Sequence, residues 1–194
     1  MSEKDQLTWK KKIDQWLLPL TKVCLMSQVS PNMITSVGLF ISIFALFFLI
    51  KQNLLMAGIT ILVSGFFDIL DGATARNHNL YKKFGAFWDS TADRFSEALI
   101  FLGLIVFFYQ NQQFVALILT FIVCLLSQMV SYTRARAEGL GVECKVGVLP
   151  RTGRVLLLSI GLLTNYVIFI LWIIMVLSLI TIIQRIVWNW QCMQ

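Results

Sequence analysis

The sequence predicts an all-α integral membrane protein: six transmembrane helices preceded by an N-terminal amphipathic helix at the membrane interface. Three observations lead there. Hydrophobic residues fill 58% of the 194 positions. Charged residues fill only 13%, where a soluble domain carries about 25%. The apolar residues also come in long runs with short polar breaks, and the mean hydropathy is +0.77. Too few polar side chains remain to cover a water-facing surface, so lipid is the natural solvent for most of the chain.

The first element, Leu7 to Leu25, differs from the rest. Trp9, Ile13, Trp16, Leu17, Leu20 and Val23 recur at helical spacing among Lys10, Lys11, Lys12, Asp14 and Lys22. A helix with tryptophans on one side and lysines on the other suits the cytoplasmic membrane surface, although a soluble packing helix would show a similar pattern. Residues 1–30 are assigned to this juxtamembrane element and 31–194 to the six-helix domain. Pro31 is suited to open the first span, because its missing N–H is unneeded in a first helical turn.

Six apolar runs follow, at roughly 31–50, 54–75, 84–109, 113–136, 152–168 and 169–187. Backbone polar groups cannot be left unpaired in hydrocarbon, so these runs are expected to be helices. The short breaks near 51, 111 and 165 contain one basic residue, Lys51, whereas Lys4, Lys10, Lys11, Lys12, Lys22, Arg76, Lys82, Lys83, Lys145 and Arg151 fall on the other side. The positive-inside rule then puts both termini and the two longer loops in the cytoplasm. The first long run is too long for a signal-peptide core, so no cleavable signal is expected. Cys24, Cys124, Cys144 and Cys192 form no metal-like or disulfide spacing and read as reduced thiols. The net charge of +6 suits anionic lipid, and no soluble basic domain exists to carry nucleic acid.

Acidic side chains in apolar helices are costly and are kept for pairing, ion binding or chemistry. Asp68 and Asp71 are spaced i, i+3 in the second run; Asp89 and Asp93 are spaced i, i+4 in the third. Each pair lies on one helix face, and the break from Arg76 to Lys83 folds the two helices against each other. Converging carboxylates repel unless a cation joins them. An all-oxygen set selects Mg²⁺ or Mn²⁺, with His78 left as a solvated loop residue. Gly72 and Gly85 lie on or beside the acidic faces, where they serve tight helix packing and the approach of a ligand to the backbone.

The run Asp68-Ile-Leu-Asp71-Gly72-Ala-Thr-Ala75-Arg76, then eight residues, then Gly85-Ala-Phe-Trp-Asp89-Ser-Thr-Ala-Asp93, resembles the signature of the CDP-alcohol phosphatidyltransferases. The resemblance implies transfer of a phosphatidyl or archaetidyl group from a CDP-linked lipid donor to an alcohol, with release of CMP. It implies metal binding by Asp68, Asp71 and Asp89, with Asp93 contributing to metal binding and serving as the catalytic base. It assigns Asp68, Asp71, Gly72, Ala75, Arg76 and Gly85 to the CDP-lipid, together with Asn32 and Thr35 in Pro31-Asn32-Met-Ile-Thr35. A homodimer in the cell membrane, with its site on the cytoplasmic side, is the family expectation. Such chemistry needs charge neutralisation at the diphosphate and a base beside the attacking hydroxyl.

A second stretch, Ser131-Tyr132-Thr133-Arg134-Ala135-Arg136-Ala137-Glu138, continues to Pro150-Arg151-Thr152-Gly153-Arg154. It resembles the inositol-phosphate branch of that family. The resemblance assigns Arg134, Arg154 and Arg185 to the phosphate of a soluble phosphorylated alcohol, inositol 1-phosphate first. Guanidinium forks suit a phosphate dianion. Arginines at helix ends also serve as positive-inside anchors, but Arg185 stands within the last apolar run. Where the branch has a Pro-Glu-Arg type sequence this chain has Pro150-Arg151-Thr152-Gly153-Arg154, so glycerol 3-phosphate stays as the alternative acceptor. An ion-coupled transporter is the alternative of another class; against it, the acids lie toward one face and no inverted repeat is visible.

Overall fold

Short polar breaks in an apolar chain must turn it without stranding backbone groups, and here they do so with a common device. In the breaks after Ile50, Gln110 and Thr164, one residue adopts the left-handed conformation: Gln52 (φ 58°), Gln112 (φ 55°) and Asn165 (φ 61°). In the first two breaks the next amide closes the helix end onto a carbonyl five residues back, Asn53 to Phe48 and Gln113 to Phe108, each at 2.9 Å. The Asn53 side chain then caps the following helix through the amide of Met56 at 3.0 Å.

The computed structural model describes residues 3–27, 29–78, 80 and 82–193, with the side chains of residues 3–13 and 25 outside the description. Among these residues the secondary structure is helical throughout: α1 (Glu3–Met26), α2 (Pro31–Ile50), α3 (Leu54–Asn77), α4 (Lys83–Gln110), α5 (Phe114–Gly139), α6 (Arg151–Thr164) and α7 (Val167–Cys192). The last two runs divide at the polar break near 165 and not at the run limit of 168. The turn falls at Asn165, whose short polar side chain tolerates the left-handed backbone, so α6 is shortened and α7 begins at Val167.

Among the described residues, four helices are long and apolar enough to cross a membrane: α2, α3, α5 and α7. The fourth and sixth helices exist as expected but differ in kind. Helix α4 carries Asp89, Asp93, Arg94 and Glu97 within its length. Helix α6 has 14 residues, roughly 21 Å against a hydrocarbon thickness of about 30 Å. Phe40, Phe44 and Phe47 on α2, Ile118 and Phe121 on α5 and Phe169 on α7 are exposed, an arrangement suited to lipid and not to water.

Helix α1 is continuous through Pro19. Leu17 and Thr21, one turn apart, are buried, while Trp16, Leu20, Val23 and Met26 are exposed. The expected contributions of Trp9, Ile13 and Lys10 to Lys12 lie among the side chains outside the description.

The chain forms two compact units, one of residues 1–41 and 63–96, the other of 42–62 and 97–194. The first has a small core of Leu17, Ile34, Leu70 and Ala73, and Ser64 on α3 donates to the carbonyl of Gly38 on α2 at 2.9 Å. The second has a larger core that includes Leu49, Phe101, Leu104, Leu158, Leu171 and Ile174. There α4 approaches α2 closely: a Cβ at Gly103 would sit 2.7 Å from Leu49 Cδ1 and 2.9 Å from Leu49 Cβ.

Candidate active site

The first unit gathers the acids. Helical spacing turns Asp68 and Asp71 toward one side of α3, and the first turns of α4 bring Asp89 to meet them. One carboxylate oxygen from each of the three lies within 4.8 Å of the others. Asp71 is the most enclosed, at 4% exposure, and the Thr35 hydroxyl on α2 donates to its carboxylate. Three carboxylates at such range in a poorly hydrated place suit a divalent cation, and the oxygen-only donor set suits Mg²⁺ or Mn²⁺. Asp93 follows Asp89 by one turn along α4 and stands outside that triad.

The glycines and Arg76 have specific neighbours. A Cβ at Gly85 would lie 3.0 Å from Asn32 Oδ1, so the bare glycine leaves room for the Asn32 amide. A Cβ at Gly72 would lie 3.1 Å from Arg76 Nη1. Arg76 also makes a two-point ion pair with Asp14 of α1, Nε to Oδ2 at 2.8 Å and Nη2 to Oδ1 at 2.7 Å. Asn77 Nδ2 donates to the Asp14 carbonyl at 3.2 Å. Helix α1 is thereby tied to the end of α3 that carries the predicted nucleotide residues. Ala75 is half-buried on the same turn, and His78 is half-buried rather than solvated.

The second unit holds the predicted acceptor arginines, and each has a protein partner. Arg134 is exposed and pairs with Glu138 at 2.8 Å, one turn on. Arg185 is buried; its Nε donates to the Val146 carbonyl at 3.0 Å and its Nη1 to the Val130 carbonyl. These carbonyls satisfy hydrogen bonds without bringing a counter-charge, and the charges of Arg134, Arg154 and Glu138 bear on Arg185 as well. Gly147, at φ 133°, lets the loop pass over this residue: a Cβ there would sit 2.6 Å from Thr181 Cγ2 and 3.4 Å from Arg185 Nε. Arg154 is fully enclosed and pairs with Glu97.

Asp14 and Glu97 are not among the residues that the sequence singles out for the site. In the sequence Asp14 is one more charge on an amphipathic face. Glu97 does carry a signal: it continues the four-residue recurrence of Asp89 and Asp93 into an apolar run.

These features define a helical membrane protein with an oxygen-ligand cation site in its first unit and two buried arginines, Arg154 and Arg185, in its second. Comparison with known proteins narrows the class. The family profile for CDP-alcohol phosphatidyltransferase matches residues 28–184. The chain is similar to the archaetidylinositol phosphate synthase of Pyrococcus horikoshii, 36% identical over 178 residues, covering 91% of this chain and 92% of that protein. Among solved structures, it resembles the Mycobacterium tuberculosis phosphatidylinositol phosphate synthase with CDP-DAG bound: TM-score 0.82 and 28% identity over 89% of this chain and 92% of the other. The same enzyme in complex with manganese and citrate matches at TM-score 0.82 and 28% identity, over 89% of this chain and 88% of that one. The chain belongs to the CDP-alcohol phosphatidyltransferase family, and it is a transferase of phospholipid biosynthesis.

Proposed function

We propose that this protein transfers a phosphatidyl or archaetidyl group from a CDP-linked lipid to a hydroxyl of inositol 1-phosphate and releases CMP. The observation that carries the reading is the convergence of Asp68, Asp71 and Asp89 within 4.8 Å. These residues would hold Mg²⁺ or Mn²⁺, which supplies charge neutralisation for a diphosphate. Asp93 accepts the proton of the attacking hydroxyl. The hydroxyl oxygen forms a bond to the lipid-side phosphorus, the bond from that phosphorus to the CMP oxygen breaks, and CMP leaves. Gly72, Ala75, Arg76, Gly85, Asn32 and Thr35 line the nucleotide end of the donor. The contacts of Gly85 with Asn32 and of Thr35 with Asp71 support that grouping.

Inositol 1-phosphate is favoured by the buried charge of Arg185, which bonds to carbonyls rather than to a carboxylate, with Arg134 and Arg154 as its companions, and by relatives named for inositol phosphate products. In the membrane, α4 and α6 cross as well, since only then do the charge-poor breaks at 51–53, 110–113 and 164–166 share one side. Both termini and the site face the cytoplasm, α1 rests its exposed Trp16, Leu20 and Val23 on that surface, and the protein works as a homodimer.

An acceptor panel tests the reading. Labelled inositol 1-phosphate, glycerol 3-phosphate and serine are offered with one CDP-lipid while CMP is followed. Inositol 1-phosphate is expected to support release at the lowest KM. Preference for glycerol 3-phosphate would replace the acceptor within the same chemistry, and preference for serine would remove the phosphate pocket.

A further inference from the structure

We infer that Glu97 is a positioning residue for the acceptor phosphate, holding one edge of the Arg154 guanidinium so that the other edge is presented to the anion. The inference deepens the proposed function and rests on the acceptor role given there to Arg154.

The pair is the most enclosed charged contact among the described residues, with the side chains 0% and 1% exposed. It is also a two-point contact: Arg154 Nε donates to Glu97 Oε1 at 2.8 Å and Nη2 to Oε2 at 3.1 Å. A guanidinium carries five N–H groups in a rigid plane. Glu97 takes the inner edge and so fixes both the position and the tilt of that plane. The outer edge is engaged far more weakly: Nη1 lies 3.5 Å from the Leu149 carbonyl, at the limit of a useful hydrogen bond. A phosphate arriving there displaces one weak contact and meets a fork already oriented, so binding does not have to order a long side chain.

The charge of Glu97 matters as much as its shape. Arg134 and Arg154 both bear on Arg185, opposed by Glu138, and the Arg185 side chain hydrogen-bonds to carbonyls. Without a carboxylate, Arg154 would be a buried cation with no counter-charge whenever the acceptor is away. Glu97 supplies that counter-charge without using the outer edge. The roles of the two buried arginines therefore divide: Arg185 brings net charge to the acceptor, and Arg154 brings direction.

The test uses the full-length enzyme in detergent, with KM measured separately for inositol 1-phosphate and for the CDP-lipid. Glu97→Gln is expected to raise the acceptor KM on the order of tenfold, the scale of one charge-assisted contact, and to leave the donor KM unchanged. Glu97→Asp keeps the charge but shortens the reach, and an intermediate acceptor KM is expected. Adding Glu97→Gln to Arg154→Ala should cost nothing further, since one acts through the other. An unchanged acceptor KM in a folded Glu97→Gln enzyme overturns the inference. A lowered KM also overturns it, because Glu97 would then compete with phosphate for the fork. If Glu97→Gln does not fold, Glu97→Asp decides: an unchanged acceptor KM is fatal. If Arg154→Ala itself leaves the acceptor KM unchanged, the acceptor role of Arg154 fails first, a result distinct from failure of Glu97 alone.

Discussion

Asp93 differs from the three acids that meet. It sits one turn beyond Asp89 on α4, roughly 6 Å along the axis, outside the cluster of Asp68, Asp71 and Asp89. That separation fits a division of work, with three residues for the cation and one for the proton. Asp93→Asn is expected to keep CDP-lipid binding and to lose CMP release by 10²-fold or more, on the order of a general-base contribution. Equal loss of donor binding would place Asp93 in the ligand set instead. Gly85 makes a subtler case. Its Cα faces Asn32 Oδ1 so closely that Gly85→Ala would put a methyl 3.0 Å from that oxygen. The variant is expected to raise the donor KM several-fold, on the order of 1 kcal/mol for a displaced hydrogen-bonding group, with the acceptor KM unchanged. A shift in the acceptor KM alone would contradict the nucleotide role of Asn32.

At the scale of elements, the helices were legible because lipid imposes so strict a rule on backbone hydrogen bonds. Five of the six apolar runs became helices close to the expected limits. The exception is instructive. Apolar residues dominate on both sides of the break, from Val155 to Leu163 and from Val167 to Leu177. The limits of the apolar runs put the boundary at 168, whereas the polar break read near 165 is where the turn falls, made by Asn165 accepting a left-handed backbone. Packing between elements was not legible either. Nothing in the spacing shows that Gly103 lies against Leu49, yet a methyl there would meet Leu49 Cβ at 2.9 Å, too close to the backbone to be relieved by a rotamer. Gly103→Ala is expected to lower stability by about 1–3 kcal/mol, read as a lower unfolding temperature in detergent; an unchanged temperature would show that α2 and α4 have slack. The crossing of α4 and α6 is open to direct test. In a background without the native cysteines, cysteines placed on either side of α4, at Lys82 and Gln112, and on either side of α6, at Lys145 and Tyr166, should be labelled by an impermeant thiol reagent from opposite sides of the membrane within each pair. Labelling of both members of either pair from one side would remove the six-span topology.

Across the whole molecule, what the sequence could announce was local and what it could not was tertiary. The meeting of Asp68 and Asp71 with Asp89 was legible because an i, i+3 pair faces one side of its helix and the break to the next helix is short, whereas the i, i+4 spacing also pointed to Asp93, which stands outside the triad. The partners of the arginines were not, because they come from far away in the chain: Asp14 meets Arg76 across 62 residues, and Glu97 meets Arg154 across 57. Both are carboxylates that each occupy one side of a guanidinium, one at the predicted nucleotide end and one at the predicted acceptor end. The central claim is that Asp68, Asp71 and Asp89 make this chain a cation-dependent phosphatidyl transferase acting on inositol 1-phosphate. The most direct measurement is CMP release by the purified protein from a CDP-linked lipid and inositol 1-phosphate, with Mn²⁺ or Mg²⁺ and again with excess EDTA. Release is expected with the cation, together with a lipid product that retains the inositol phosphate, and release should stop with EDTA. Release that continues undiminished in EDTA, or a cation-containing reaction that yields no CMP, would contradict it.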